Sequence, residues 1–302
     1  MKQQAALIGL LLLALTAAPF MVSDFWIFII IQMMVYALYA LAFNLLLGYG
    51  GMLPFGFATF FGLGAYALAI LQVKLGVGVF LAALAAPFIA AVLGGVIAYF
   101  CIALSGIYFG MLTFAFQMLF YSVFLKSYDF AGGDSGLHGV VIPGILGQPR
   151  GLYYLTLCVV GLGIAGLWQI VRSPFGLALR SQCDNPHKSL AIGINVAFQR
   201  WLAFAIASFF AGLAGAASAL ANQSVFPDWL DWRASAAPIV MTILGGMHSF
   251  VGPIIGAVIY VLVQTVMTGV TQYWALVMGV MIIVIVVLMP NGVVNLFGRS
   301  HG

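Results

Sequence analysis

The chain has 302 residues, of which 65% are hydrophobic and only 5% are charged, and its mean hydropathy is +1.19. Soluble domains carry about 25% charged residues, so a water-soluble fold could not cover its surface with so few ionisable groups. The net charge of +4 comes from scattered basic residues, which argues against nucleic acid as a partner. We therefore expect a lipid bilayer to be the solvent for most of the surface.

Long apolar runs without the alternation of a membrane β-barrel predict an all-α, polytopic bundle of transmembrane helices. Each crossing needs about 20 apolar residues, and runs bounded by charges, glycine and proline predict about ten spans, at least eight, in one transmembrane domain over residues 1–302. The predicted spans are 5–22, 26–47, 52–72, 78–101, 105–125, 151–171, 201–221, 234–248, 251–270 and 273–289.

Two of these spans leave an alternative open. The run 5–22 follows Lys2 and also resembles a signal peptide, but it leads towards further spans, so an uncleaved first helix is expected. The run 234–248 is short and predicts either a full crossing or a re-entrant half-helix.

The distribution of basic residues predicts the orientation, because short cytoplasmic loops of membrane proteins are enriched in Lys and Arg. The loop 172–200 holds one acid, Asp184, and the basic residues Arg172, Arg180, Lys188 and Arg200. This loop is therefore predicted to be cytoplasmic, and the loops 126–150 and 222–233 to lie outside. With ten spans, both termini are predicted to be cytoplasmic.

The sequence contains no catalytic constellation. Its four histidines lie far apart, and it has no phosphate-binding loop, metal-ligand spacing or Ser-His-Asp set, so we predict no enzymatic activity and no directly bound metal or cofactor. The predicted spans also lack ionisable residues at mid-membrane, which ion-coupled carriers use as relays. Transport would then draw on a partner ATPase or proceed passively through a channel.

The loop 172–200 is where such an ATPase would dock. Ser173 before Pro174 is a typical helix start, because serine caps free N–H groups and proline tolerates the first helical position. Phe175 supplies an apolar anchor, and Gly193 predicts a break. One or two short helices across the membrane face are predicted, and a solvated basic loop without a special role is the alternative.

Glycine and proline are dense in the segment 44–66 and predict an interrupted helix. Its candidate residues for a translocation path are Asn44, Gly51, Pro54, Phe55 and Gly56. A broken helix frees backbone groups that a substrate or a water-lined path can satisfy. A tight turn between two spans is equally consistent with this spacing.

Two further stretches carry polar candidates. The span 105–125 contains Ser105, Tyr108, Thr113 and Gln117, which either line a path or bond to a neighbouring helix. The outer stretch 131–137 reads as a flexible turn. Its residues Gly132, Gly133, Asp134 and Ser135 would contact an external binding protein, unless the stretch is an ordinary loop.

Several stretches carry a family pattern by their order and number. They include Asn44-Leu-Leu-Leu-Gly-Tyr-Gly-Gly51, Gly62-Leu-Gly-Ala-Tyr66, Leu104-Ser-Gly-Ile-Tyr-Phe109, Ser173-Pro-Phe-Gly176, Ala211-Gly-Leu-Ala-Gly-Ala216, Leu244-Gly-Gly246 and Pro290-Asn-Gly292. Together they resemble the LivM/LivH-type permease family of branched-chain amino acid ABC importers, and they are closer to LivM. The resemblance covers about residues 38–293.

The resemblance implies a permease of the bacterial inner membrane that forms a heterodimer with a sister LivH-type permease. Two ABC ATPase subunits would bind ATP and Mg²⁺, and a periplasmic binding protein would deliver a small branched-chain or related amino acid. A cytoplasmic loop helix couples such permeases to the ATPase. The residues at its position here are Ser173, Pro174, Phe175, Gly176, Arg180, Asp184, Asn185 and Gly193.

The loop departs from the family pattern in one respect. Family loops tend to carry acids after the Asp-Asn pair, whereas this chain has Pro186, His187, Lys188 and Leu190. The detailed ATPase contacts are therefore left open, although the arginine at 180 is kept. Because related permeases carry urea and other small amides or acids, another small solute and a stand-alone channel remain alternatives.

Overall fold

The computed structural model describes residues 16, 18–20, 22–191, 193–270, 273–288 and 292–294. Most of the predicted span 5–22, both termini, and Pro290 and Asn291 of the family pattern lie outside these residues. The helices in chain order are α1 (Asp24–Asn44), α2 (Ala58–Ala69), α3 (Val79–Cys101), α4 (Ile107–Lys126), α5 (Tyr128–Ala131), α6 (Pro149–Arg172), α7 (Pro174–Asp184), α8 (Pro186–Ala191), α9 (Val196–Asn222), α10 (Trp232–Gly245), α11 (Gly252–Val270) and α12 (Trp274–Leu288).

Among the described residues, 6 helices are long and apolar enough to cross a membrane: α1 with the π-helical turn that follows it, α3, α4, α6, α9 and α11. Three apolar helices are shorter, namely α2 with its own π-helical extension (Ala58–Lys74), α10 with 14 residues and α12 with 15. The helices follow the predicted apolar runs closely except at residues 52–57. The protein is an all-α, multi-pass membrane bundle.

Helix α9 lies at the centre of the bundle and packs against α1, α2 and α3. Its small residues let neighbouring backbones come into direct contact. A Cβ on Gly64 of α2 would lie 2.2 Å from the carbonyl oxygen of Gly212, and one on Gly215 would lie 1.9 Å from the carbonyl oxygen of Phe61. Because no side chain fits at these distances, glycine is required, as is common where membrane helices pack by van der Waals contact.

The bundle has two ends. Helices α7 and α8 lie at one end, here named the loop face, where the Arg180 guanidinium lies 5.9 Å from the ring centre of Tyr49. At the other end, named the opposite face, the loops 127–148 and 223–231 meet. They pair as two short antiparallel strands, β1 (Leu137–His138) and β2 (Ser224–Val225).

Between α1 and α2 the chain is not α-helical over residues 50–57, named the broken segment. The predicted span 52–72 is therefore wrong at its start, since α2 begins only at Ala58. Gly51 has a φ of +63°, and Pro54 has no N–H for a helical hydrogen bond. Helix α4 packs directly against the broken segment, because a Cβ on Gly56 would lie 2.0 Å from the carbonyl oxygen of Thr113.

Candidate functional site

Three of the predicted path residues, Gly56, Thr113 and Gln117, lie together where the broken segment meets α4. The Gly56 N–H donates to Thr113 Oγ1 at 3.4 Å, and Thr113 Oγ1 donates to the carbonyl oxygen of Gly110 at 2.7 Å. Thr113 is 2% exposed and Gln117 is fully buried. The spacing that predicted a polar helix has therefore produced a buried polar contact.

Gln117 uses both polar atoms of its amide. Nε2 donates to the carbonyl oxygens of Leu230 at 3.0 Å and Asp231 at 2.9 Å, and Oε1 accepts from Ser235 Oγ at 3.0 Å. Ser235 Oγ also accepts from the N–H of Ala58 at 2.9 Å. We name Gly56, Thr113, Gln117 and Ser235 the polar seam. It joins α4 to the first turns of α2 and α10, so these side chains bond to neighbouring elements; a role in the path remains a prediction.

The other predicted path residues are dispersed. Asn44 is fully buried near the loop face, where its Nδ2 donates to the carbonyl oxygen of Ser249 at 3.5 Å. Pro54 is buried, and Phe55 packs against Gly110 of α4. Tyr108 is 68% exposed on the outside of the bundle. The structure does not bring these residues to one cavity with the polar seam.

A cavity of about 370 Å³ lies beside the broken segment at the loop face. Gly51 and Phe55 line it on one side, Ser105 on another, and Arg200 contributes its charge. Gly51, Phe55 and Ser105, all candidates for the path, thus border an open space, and the guanidinium favours an anionic group there.

A second cavity, of about 480 Å³, opens towards the opposite face, and we name it the outer cavity. It lies between α1, α2, α9, α10, α11 and the 3₁₀ turn Pro227–Leu230. Its aromatic and charged lining residues are Tyr36, Tyr39, Phe61, Asp228, Trp229, Arg233 and Tyr260. Sequence reasoning missed this site, because the lining residues lie in stretches far apart along the chain. In the sequence, only the two opposite charges beside aromatic residues in the outer loop 222–233 pointed to this site.

The predicted helix start in the loop 172–200 is confirmed. Ser173 Oγ accepts from the N–H of Gly176 at 3.4 Å, Pro174 is the first residue of α7, and Asn185 Oδ1 accepts from the N–H of Lys188 at 3.0 Å at the start of α8. Gly193, with a φ of +83°, follows α8 as the predicted break. The loop therefore consists of two capped short helices.

Helix α7 has two different sides. Leu177, Arg180 and Asp184 follow helical spacing and are exposed to solvent, with Leu177 65% exposed. Next to this exposed side, a Cβ on Gly51 would lie 2.8 Å from Cys183 Sγ, so α7 touches the broken segment directly. Burial, and then the neighbouring Asp184, raise the pKa of the Cys183 thiol. The thiol is therefore protonated at neutral pH, and it contacts Gly51 although the residue as a whole is exposed.

The outer stretch Gly132–Ser135 forms a defined turn. Gly132 and Gly133 adopt φ values of +78° and +57°, and Gly133–Ser135 is a 3₁₀ turn. His138 holds it to β2, since its Nδ1 lies 3.0 Å from Ser224 Oγ and its Nε2 lies 2.9 Å from the carbonyl oxygen of Ser135. Asp134 and Ser135 are exposed. Contact with a binding protein remains a prediction for these four residues.

Comparison with known proteins agrees with this architecture. Residues 25–286 match the family described as "Branched-chain amino acid transport system / permease component". The chain is 27% identical, over 288 residues, to the high-affinity branched-chain amino acid transport system permease protein LivM of Escherichia coli (strain K12), covering 86% of this chain and 68% of that protein.

Two further relatives bear the same name. LivM of Salmonella typhimurium is 26% identical over 288 residues, with the same coverage of 86% and 68%. A probable LivM of Methanocaldococcus jannaschii is 26% identical over 138 residues, covering 43% of this chain and 39% of that protein. No solved structure matches the chain significantly. Because the family match covers most of the sequence, this chain belongs to the permease components of branched-chain amino acid transport systems.

Proposed function

We propose that this permease is the LivM-type subunit of an ATP-driven importer for branched-chain amino acids. It forms a heterodimer with a sister LivH-type permease. Two ABC ATPase subunits and a periplasmic binding protein complete the importer. The family match and the LivM relatives support this assignment. ATP and Mg²⁺ are held by the ATPase subunits, and this chain contributes the path and the mechanical coupling.

In this proposal the chain crosses the inner membrane ten times. The 6 long apolar helices, the shorter α2, α10 and α12, and the predicted span 5–22 supply the crossings. The loop face is cytoplasmic, because basic residues predominate between residues 172 and 200. Both termini are then cytoplasmic as well, and the opposite face meets the binding protein through Gly132, Gly133, Asp134 and Ser135.

One observation carries the coupling role, namely that α7 has an exposed side and a side in contact with the broken segment. Leu177 and Asp184 are exposed to solvent, Arg180 lies over the ring of Tyr49, and Cys183 packs on Gly51. A push on the exposed side from the ATPase therefore reaches Gly51 without an intervening element. From there the broken segment leads to α2, and the bundle shifts between outward- and inward-facing states.

The first test is reconstitution of the two permeases and the two ATPase subunits in liposomes, with the loaded binding protein outside. We expect uptake of leucine that requires ATP inside. Uptake that continues without ATP, or without the ATPase subunits, would show a stand-alone channel instead. Uptake of urea but not of leucine would show that the permease carries another class of solute.

The second test separates coupling from folding. Gly176 is unsuitable, because a Cβ there would lie 2.2 Å from the carbonyl oxygen of Val171 and any substitution would deform the loop itself. Leu177→Asp instead changes a side chain that is 65% exposed, and Leu75→Asp is its matched control, 66% exposed near the opposite face. We expect Leu177→Asp to abolish stimulated ATPase activity and uptake, while Leu75→Asp retains both. Normal coupling in Leu177→Asp would refute the docking role.

A further inference from the structure

The outer cavity carries two opposite charges at its mouth. Asp228 lies in the 3₁₀ turn Pro227–Leu230 and Arg233 in the first turn of α10, and both side chains are exposed. Within the described part of the chain no ion pair joins them. Arg233 is held over the ring of Trp232, 5.5 Å from its centre. Both charges are therefore free to meet a ligand that carries an anion and a cation.

The walls of the outer cavity are aromatic. Phe61 lies at their centre, with ring centres 6.4 Å from Tyr36, 4.8 Å from Tyr39 and 5.8 Å from Trp229. Tyr260 closes the other side, 6.2 Å from Tyr36. Such rings offer a large apolar surface of fixed shape. They suit an apolar side chain that enters behind the charged mouth.

One polar group at the inner end of the outer cavity lacks a partner. Tyr39 is 2% exposed, and its hydroxyl forms no hydrogen bond within the described residues. Gln32 and Tyr39 both line the cavity from α1, so it extends about 10 Å along that helix. Buried hydroxyls are nearly always bonded in folded proteins, and this unpartnered one belongs to a residue that lines an open cavity.

We propose that the outer cavity is a binding site for a zwitterionic α-amino acid with a branched apolar side chain. Arg233 binds the carboxylate, Asp228 binds the ammonium group, and the rings of Tyr36, Phe61 and Trp229 enclose the side chain. A volume of about 480 Å³ is within the usual range of small-molecule sites. The Tyr39 hydroxyl is the next polar group inward along the path. This inference rests on the proposed import function and assigns it a site on this chain.

The arrangement also explains selection among amino acids. A solute without a carboxylate or without an amine leaves one of the two mouth charges unpaired. A solute with a polar side chain would bring that group among aromatic rings, where it loses its bonds to water. The site therefore favours hydrophobic amino acids independently of the binding protein that delivers them.

Cysteine protection tests the site directly. In a background where Cys101, Cys158 and Cys183 are serine, Ala234→Cys places a thiol in the cavity lining, and Ala236→Cys places one on the exposed side of the same helix. The assembled complex without nucleotide is labelled from outside with a membrane-impermeant thiol reagent. The probes are L-leucine, isocaproate, which lacks the amine, and isopentylamine, which lacks the carboxylate.

We expect saturable protection of Ala234→Cys by leucine, much weaker protection by either half-molecule, and no protection of Ala236→Cys. Equal protection by isocaproate or isopentylamine would refute recognition of a zwitterion. Equal protection of both cysteines would show a general change of conformation instead of occupancy and would overturn the site. Absence of any protection of Ala234→Cys by leucine would also overturn the site.

Uptake kinetics provide the second readout. Arg233→Gln is compared with Arg150→Gln, an exposed arginine near the same face that does not line the cavity. We expect Arg233→Gln to lower the maximal rate of leucine uptake about tenfold, with an unchanged KM for the loaded binding protein. A raised KM with a normal maximal rate would make Arg233 a docking residue and refute the site. Failure of the wild-type complex to import leucine would instead refute the proposed function.

Discussion

The polar seam and the outer cavity both place polar groups among apolar helices, but they use them in opposite ways. In the polar seam, both polar atoms of the Gln117 amide are bonded, and the residue is fully buried. Among the described residues, the Tyr39 hydroxyl of the outer cavity has no partner, and no ion pair joins Asp228 to Arg233 at its mouth. Satisfied groups hold elements together, and unsatisfied groups beside open space are left for a solute.

The physical reason is the cost of polar groups away from water. A buried donor or acceptor without a partner costs about 1–3 kcal/mol, so a membrane bundle keeps few of them. The polar seam avoids the cost by internal bonds. The outer cavity avoids it only when a ligand or water is present. Three substitutions can distinguish polar groups that stabilise the bundle from polar groups that are left for a solute.

Gln117→Leu should have the largest effect on stability. It removes the donor to the carbonyl oxygens of Leu230 and Asp231 and the acceptor for Ser235. We expect a loss of about 2–4 kcal/mol, measured as a lower Tm of the purified complex in detergent. Gln264→Leu is the control, because its side chain lines the outer cavity and no side-chain hydrogen bond is found for it within the described chain. Equal losses in the two variants would contradict the comparison.

Gly56→Ala should come next. Its Cβ would lie 2.0 Å from the carbonyl oxygen of Thr113, so the broken segment and α4 must separate. We expect a loss of about 1–3 kcal/mol together with reduced leucine uptake. Gly161→Ala in α6 meets nothing within 4 Å and should be neutral or slightly stabilising. Normal uptake in Gly56→Ala would argue against any role of the broken segment in transport.

Tyr39→Phe should have the smallest effect on stability and the clearest effect on function. Removing a hydroxyl without a partner should leave the Tm unchanged or slightly raised. Leucine uptake should fall, because the solute loses the polar group at the inner end of the outer cavity. A lower Tm with normal uptake would show that the hydroxyl has a structural partner, and Tyr39 would then belong with the polar seam.

Much of the fold could be predicted from the sequence, because each helix that crosses lipid needs a long apolar run. The start of α7 was predictable as well, since Ser173 and Pro174 follow local capping chemistry. The start of α2 was predicted too early. Residues 52–57 are as apolar as a span, and although the glycine and proline density of the segment 44–66 predicted an interrupted helix, only the positive φ of Gly51 and the close approach to Thr113 locate the interruption.

The site was less predictable, because partners decide the role of a polar residue. The spacing of Thr113 and Gln117 allowed both a path and a bond between helices, and the choice depends on Leu230 and Ser235 far along the chain. The outer cavity depends still more on tertiary structure. Its lining extends from Ile31 to Gln264, and no local pattern relates these positions.

The glycine contacts between α2 and α9 have a mechanical consequence. Where Gly64 meets Gly212 and Gly215 meets Phe61, the two backbones touch with no side chain between them. Two helices in such contact cannot slide past each other without losing their packing, so we expect α2 and α9 to move as one rigid unit. A displacement of a few ångströms at Gly51 would then be transmitted through the two helices to the opposite face. In the proposed ATP-driven import, the rigidity of this glycine contact would determine how much of a displacement at Gly51 reaches the opposite face.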